Sequence, residues 1–197
     1  SSNLSTDTSG PRVSSRASLI SAEVRYRYVR PGNPMTIANE CSSSGFEEIG
    51  KGPGLGYTLN VPLRAGADDA LYVRVFKELL CPVVRSFRPE LILVSAGFDT
   101  YVGDPLGGMK MTPEGFACLT RILLDLADEW CGGRLVMVLE GGYNVQGLAK
   151  CVRAVLLEMI GETRVTEETL SRMAAQTGEQ TDRAIGRIRE QWAPYWK

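Results

Sequence analysis

The stretch Arg88-Pro-Glu-Leu-Ile-Leu-Val-Ser-Ala-Gly-Phe-Asp99, answered further along by Arg134-Leu-Val-Met-Val-Leu-Glu-Gly-Gly-Tyr-Asn144, decides the fold. In each, a short apolar run rich in β-branched residues stops abruptly at small residues and then presents one chemically capable side chain, Asp99 or Tyr143. Runs of this kind read as buried parallel strands, which deliver the next side chain to the rim of a sheet. The segment between them holds one helix and a loop, enough for a right-handed crossover. Both strand ends are therefore expected on one edge, and in open α/β sheets that edge is where ligands bind.

Working outward, Thr112 reads as the N-cap of the crossover helix, with Pro113 in its first turn. Phe116, Leu119, Leu123, Leu126 and Trp130 follow at helical spacing as a core stripe, and Gly132-Gly133 ends the helix. Asn144 is the expected cap of the next helix, which carries Leu148, Val152, Val155 and Met159 on one face. Upstream, residues 57–62 read as a strand. Asp68 or Asp69 then caps a helix bearing Leu71, Val75, Leu79 and Val83, with Pro82 kinking it. A strand is expected within residues 19–30, where Val24, Tyr26 and Tyr28 alternate with Arg25 and Arg27, and Arg30-Pro-Gly-Asn-Pro34 stops it. The stretch from there to Gly45 is turn-rich and unpatterned. Two helices near 166–175 and 181–192 close the chain, the second with Ile185, Ile188 and Trp192 on one face. The expected class is α/β: a three-layer parallel sheet with helices on both faces, incomplete on its N-terminal side.

Composition narrows the function. The chain of 197 residues has a formal net charge of −1, which argues against a broad nucleic-acid-binding face. No run of about eighteen apolar residues exists to span a membrane. Residues 1–45 read as a disordered or divergent leader, because Ser1–Ser18 is too poor in apolar groups to offset its ordering entropy; a targeting peptide is a second reading of it. Residues 46–197 form the recognisable domain. The five cysteines are odd in number, scattered and without C-x-x-C spacing, so they read as small hydrophobes in a reducing, cytoplasmic setting, with nuclear or organellar locations open.

Four motifs in order add an identity to this frame. They are Gly52-Pro-Gly-Leu-Gly-Tyr-Thr-Leu-Asn-Val-Pro-Leu63, Asp99-Thr-Tyr-Val-Gly-Asp-Pro-Leu-Gly-Gly108, Met111-Thr-Pro-Glu-Gly-Phe116 and Glu140-Gly-Gly-Tyr-Asn144. Together they resemble the zinc-dependent deacetylases: histone deacetylases, acetylpolyamine amidohydrolases and acetoin-utilisation proteins, with the arginase-deacetylase fold. The likeness runs from about Phe46 to Gly161, and the closing Ala193-Pro-Tyr-Trp196 is similar to the tail of bacterial members. The resemblance implies that Asp99 is a zinc ligand and that Tyr143 donates to the oxyanion of a tetrahedral intermediate. It also implies that Leu106, Gly141 and Gly142 line the substrate site. Acetylated lysine, an acetylated polyamine or a small acetamide would be the substrate.

Histidine sets this chain apart, because the sequence contains none. The family holds zinc with an Asp-x-His pair and a later Asp and deprotonates water with tandem histidines. All of these histidines belong to the half that would precede the recognisable part here. The chain is therefore expected to be the C-terminal half of such an enzyme, doubtful as a zinc binder and inactive on its own, with an exposed sheet edge that favours self-association. Simpler readings stay open beside this one. Asp99 is also the kind of residue that caps a turn, Tyr143 a half-buried aromatic, and Leu106 an exposed loop leucine. Asp104 is expected to shape its loop by side-chain hydrogen bonding. Glu140-Gly-Gly-Tyr-Asn144 before a helix has the ingredients of an anion site but no G-x-G-x-x-G and no Walker lysine. A degenerate deacetylase fragment acting as an interaction module is the non-catalytic alternative.

Overall fold

The two apolar runs are the parallel pair at one side of a five-stranded sheet. Strand β4 (Ile92–Ala96) lies beside β5 (Leu135–Leu139), in register from Ile92 opposite Leu135 to Ala96 opposite Leu139. The computed structural model describes residues 24–28, 35–39, 49–176 and 178–196, the first two segments through their backbone alone. Strand order is β3-β2-β1-β4-β5, with β1 at Val24–Tyr28, β2 at Met35–Asn39 and β3 at Thr58–Asn60. The expectations for residues 1–18, for Cys41 and for the boundary at Phe46 lie outside the described residues.

The expected α/β class holds, but the sheet is not the all-parallel one expected. Strand β1 runs antiparallel to both β2 and β4, whereas β2–β3 and β4–β5 are parallel, so the sheet is mixed rather than all parallel. The few residues between β1 and β2 are too few for the crossover that a parallel neighbour needs, and a short connection returns the chain antiparallel. The stretch read as unpatterned thus contains β2. Its Met35-Thr-Ile-Ala-Asn39 lacks the dense apolar run that marks β4 and β5.

Helix α3 (Pro113–Cys131) makes the crossover. It starts at an N-cap, Thr112, whose side chain accepts from Gly115 N–H, and ends at Gly132 with φ +59°. Phe116, Leu119, Leu123 and Leu126 are buried against the sheet face that carries Ile92 and Val94. On the other face of the same ribbon Val136 and Val138 are 46% and 48% exposed, so among the described residues helices cover this part of the sheet from one side, where both faces were expected to be covered. Helix α4 (Val145–Met159) packs along α3. Their joint includes Glu158, which is fully buried and accepts from Arg121 Nε at 2.6 Å, Thr163 Oγ1 at 2.9 Å and Val165 N–H at 3.2 Å. Leaving one partner of such a buried pair unpaired typically costs about 3–5 kcal/mol.

Pro82 does not break its helix. Helix α1 (Asp69–Val75) passes through a π turn at Phe76–Leu80 into α2 (Cys81–Phe87), and the wider turn just ahead of Pro82 accommodates a residue that brings no N–H. Helices α5 (Glu167–Ala174) and α6 (Glu179–Trp192) complete the chain close to the expected bounds, with Ile185, Ile188 and Trp192 buried. Beyond α6 the tail folds back. Trp196 meets Tyr57 and Phe87 edge-on at 6.0 and 6.3 Å, and the Tyr195 ring lies so close to Gly56 that a Cβ there would stand 2.8 Å from it. Cys81, Cys118, Cys131 and Cys151 are buried and free; burial pushes Cys118 and Cys151 up to about 12 and Cys81 to about 11, so these thiols are inert fillers. Among the described residues no helix is long and apolar enough to cross a membrane.

The two acidic candidates for capping α1 divide the work. Asp68 caps α1 by accepting from Leu71 N–H at 3.1 Å. Asp69 reaches across to α3, accepting from Thr112 N–H at 2.8 Å and Thr112 Oγ1 at 2.6 Å. Burial holds the Asp69 carboxyl above its ordinary value of 3.8, although both bonds from Thr112 pull it down. The folded state therefore holds that proton more tightly than the unfolded chain does. The resulting stabilisation is fully present below the unfolded value and is lost as pH rises through the folded one. Relative to Asp69→Asn, the wild-type chain should gain stability as pH falls from neutrality into the carboxylate range. Thermal melts of both proteins across that range check the sign.

Candidate functional site

The β4–β5 pairing does not end with the strands. Glu140 N–H donates to Ala96 O at 3.0 Å and Phe98 N–H to Gly141 O at 2.9 Å, so the two post-strand segments leave the sheet side by side at its carboxyl edge. Residues 98–111 then form a closed loop, with Met111 N–H donating to Thr100 O and Val102 N–H to Met111 O. Asp99 sits at the root of this loop, 7% exposed, with its Oδ1 shielded from solvent.

Glycine makes that root possible. At Gly107 a Cβ would fall 1.6 Å from the Asp99 carbonyl oxygen, and at Gly141 it would stand 3.1 Å from Asp99 Oδ2. The backbone of the second loop therefore lies directly against the carboxylate of the first. Gly142 adopts φ +135° with Phe98 and Leu148 packed beside its Cα, a conformation and a clearance that a side chain would not tolerate.

Asp104 joins the loops from the outer side. Its Oδ1 accepts from Leu106 N–H at 2.9 Å and Gly107 N–H at 3.2 Å; its Oδ2 accepts from Tyr143 N–H at 2.7 Å and Asn144 N–H at 3.2 Å. Asn144 adds a second tie, donating through Nδ2 to Gly103 O at 2.7 Å while its Oδ1 caps α4 by accepting from Gly147 N–H.

The residues expected to form the site thus fall into two groups. Asp99, Gly141 and Gly142 are drawn together at the root, the carboxylate buried and the two glycines half-buried. Tyr143 and Leu106 stand at the open rim, 57% and 49% exposed, linked through the backbone by Asp104 rather than by side-chain contact. The loop-shaping role of Asp104 is as expected. Its reach across to Tyr143 and Asn144 had no signal in the sequence, since the partners lie 39 and 40 positions away.

A zinc hydrolase supplies three protein ligands and leaves one position open. Among the described residues no group of three or more His, Cys, Asp and Glu side chains is placed to hold a metal ion. Asp99 offers one buried carboxylate of a suitable kind, and these residues alone do not fit zinc.

The family model described as the histone deacetylase domain matches residues 42–159, a span that contains Asp99, Leu106, Gly141, Gly142 and Tyr143. The chain belongs to the histone deacetylase family. It is 38% identical to histone deacetylase 18 of Arabidopsis thaliana over 77% of its own length and 21% of that protein's. Against the human polyamine deacetylase HDAC10 the identity is 47% over 60% of this chain and 17% of the relative. Among solved structures, the histone deacetylase Clr3 superposes with a TM-score of 0.70 at 30% identity, covering 82% of this chain and 27% of that one. The HDA15 HD domain gives 0.64 at 31% identity, with 76% and 38% covered. The chain thus spans about a fifth of the curated relatives just named and about a third of the solved chains.

Because Gly107 touches a backbone carbonyl rather than a flexible side chain, Gly107→Ala should displace the 98–111 loop and destabilise the chain by about 1–3 kcal/mol. Gly186→Ala, in the interior of α6 with nothing near its Cα, should instead stabilise it by about 0.5–1 kcal/mol. Denaturant melts of the two variants beside wild type distinguish these opposite outcomes.

Proposed function

We propose that this chain forms the C-terminal portion of the catalytic domain of a zinc-dependent deacetylase that hydrolyses acetyl-lysine or a related acetamide. In this reading Asp99 contributes one metal ligand, Tyr143 donates a hydrogen bond to the oxyanion, and Leu106, Gly141 and Gly142 border the substrate. The observation that carries it is the arrangement at the sheet edge: a buried carboxylate cradled by glycine backbone, with a solvent-facing phenol on the adjoining loop. A phenol carried on a short loop whose backbone is anchored can reach a substrate and donate to the oxyanion as charge develops. The remaining metal ligands and the proton-accepting base must come from residues that this histidine-free chain does not contain. The isolated chain is accordingly inactive, and its zinc affinity is weak.

The exposed Val136 and Val138 on β5, the edge strand among the described residues, support a partner for that ribbon, either the rest of a deacetylase domain or a second copy of the chain. The near-neutral charge supports the absence of direct nucleic-acid binding, and the free buried thiols support a reducing, cytoplasmic setting. A second reading, favoured by the missing histidines, is a non-catalytic interaction module of deacetylase descent.

The purified chain with added zinc should turn over an acetyl-lysine reporter at background, and Asp99→Asn and Tyr143→Phe should change nothing. Co-expressed with the histidine-bearing N-terminal part of a related deacetylase domain, it should recover activity, and Tyr143→Phe should then cost about a hundredfold or more in rate. Zinc-dependent turnover by the chain alone that disappears with Asp99→Asn would overturn the inactive-portion reading. A soluble complex without turnover would favour the interaction module.

A further inference from the structure

We propose that Asp104 is a positioning residue that ties the Leu106 loop to the Tyr143 loop, so that the wall of the substrate site and its phenol move as one unit. This rests on the reading of Leu106 and Tyr143 given above, and it adds a regulatory property: an acylated side chain that displaces the wall is felt by the tyrosine. Four backbone N–H groups, two from each loop, converge on one carboxylate. The division is by oxygen. Oδ1 serves the local turn at Leu106 and Gly107, and Oδ2 serves Tyr143 and Asn144. Charge-assisted bonds of this kind are about twice as strong as neutral ones, so a single side chain holds both segments.

The surroundings make Asp104 the main link at the rim. Tyr143 and Leu106 are more than two-fifths exposed, so side-chain packing does little to restrain either. Asn144 Nδ2 on Gly103 O adds a second hydrogen bond between the two loops on this outer side, and the Tyr101 ring packs against Gly147 in the first turn of α4. At the inner side, Phe98 N–H on Gly141 O fixes where the loops begin, not where their tips stand. Asp104 touches no reacting atom, so its effect is exerted through the backbone that carries the tyrosine.

The decisive variant is Asp104→Asn in the full chain, followed by amide NMR and hydrogen exchange. An asparagine keeps its carbonyl oxygen for the local turn and turns an NH2 group toward the Tyr143 and Asn144 amides. The expected result is that Leu106 and Gly107 amide protons keep a hydrogen bond to the side-chain oxygen, moving upfield only as far as loss of the charge requires. Those of Tyr143 and Asn144 should lose theirs and exchange about tenfold faster or more, the ratio that one ordinary hydrogen bond is worth. Leu123 and Val155, in the α3–α4 core, should not move. Unaltered Tyr143 and Asn144 amides in this variant would overturn the proposal.

Should Asp104→Asn fail to fold, Leu106→Gly at an exposed position loosens only the wall loop directly. Faster exchange at Tyr143 and Asn144 in that variant supports the coupling, and exchange unchanged there refutes it. Neither readout involves turnover, so failure here is separable from failure of the deacetylase reading, which the complementation assay decides.

Discussion

Everything at the candidate site depends on the continuation of backbone pairing past the ends of β4 and β5. Two further hydrogen bonds, Glu140 N–H to Ala96 O and Phe98 N–H to Gly141 O, carry the parallel register into the loops. Had the pairing stopped with the strands, the two loops would diverge with the sheet twist, and Asp99 would face water. Instead, glycines at 107 and 141 let two main chains close around that carboxylate, and the small residues that end each apolar run are explained by this approach.

Keeping the approach open costs conformational freedom and leaves little apolar contact at the rim. Polar ties replace that contact: Asp104 and Asn144 between the loops, and Asp69 bridging the N-termini of α1 and α3 behind them. Anchoring is graded outward, from a buried backbone root to an exposed phenol.

The sequence made the central features legible because each is local. The β4 and β5 runs, the Thr112 cap, the Gly132 stop, the α3 stripe and the Asn144 cap all depend on spacings within one element, and all are present. Position of Asp99 and Tyr143 on one edge followed from the crossover rule alone. What stayed hidden was long-range or weakly patterned. Strand β2 lacks a dense apolar run, and the antiparallel insertion of β1 beside β4 joins segments with no shared signal. The burial of Glu158 under Arg121 and the span from Asp104 to Tyr143 pair residues 37 and 39 positions apart, which no periodicity encodes.

The π turn before Pro82 has a consequence for how this segment tolerates change. Tyr72, Phe76, Leu80 and Val84 are all buried at a strict four-residue interval. On a regular α-helix such an interval drifts by about 40° at each step, and the stripe would wind off the core within a few turns. The wider turn at Phe76–Leu80 takes up that drift and keeps the stripe straight. It acts as a phase corrector between two helical halves. Side-chain exchanges along it alter packing one position at a time, but with the π turn already wound wide, gaining one further residue rotates all that follows by about 100°, carrying Val83, Val84 and Phe87 out of the interior together. Length, more than composition, is the quantity under constraint in this segment.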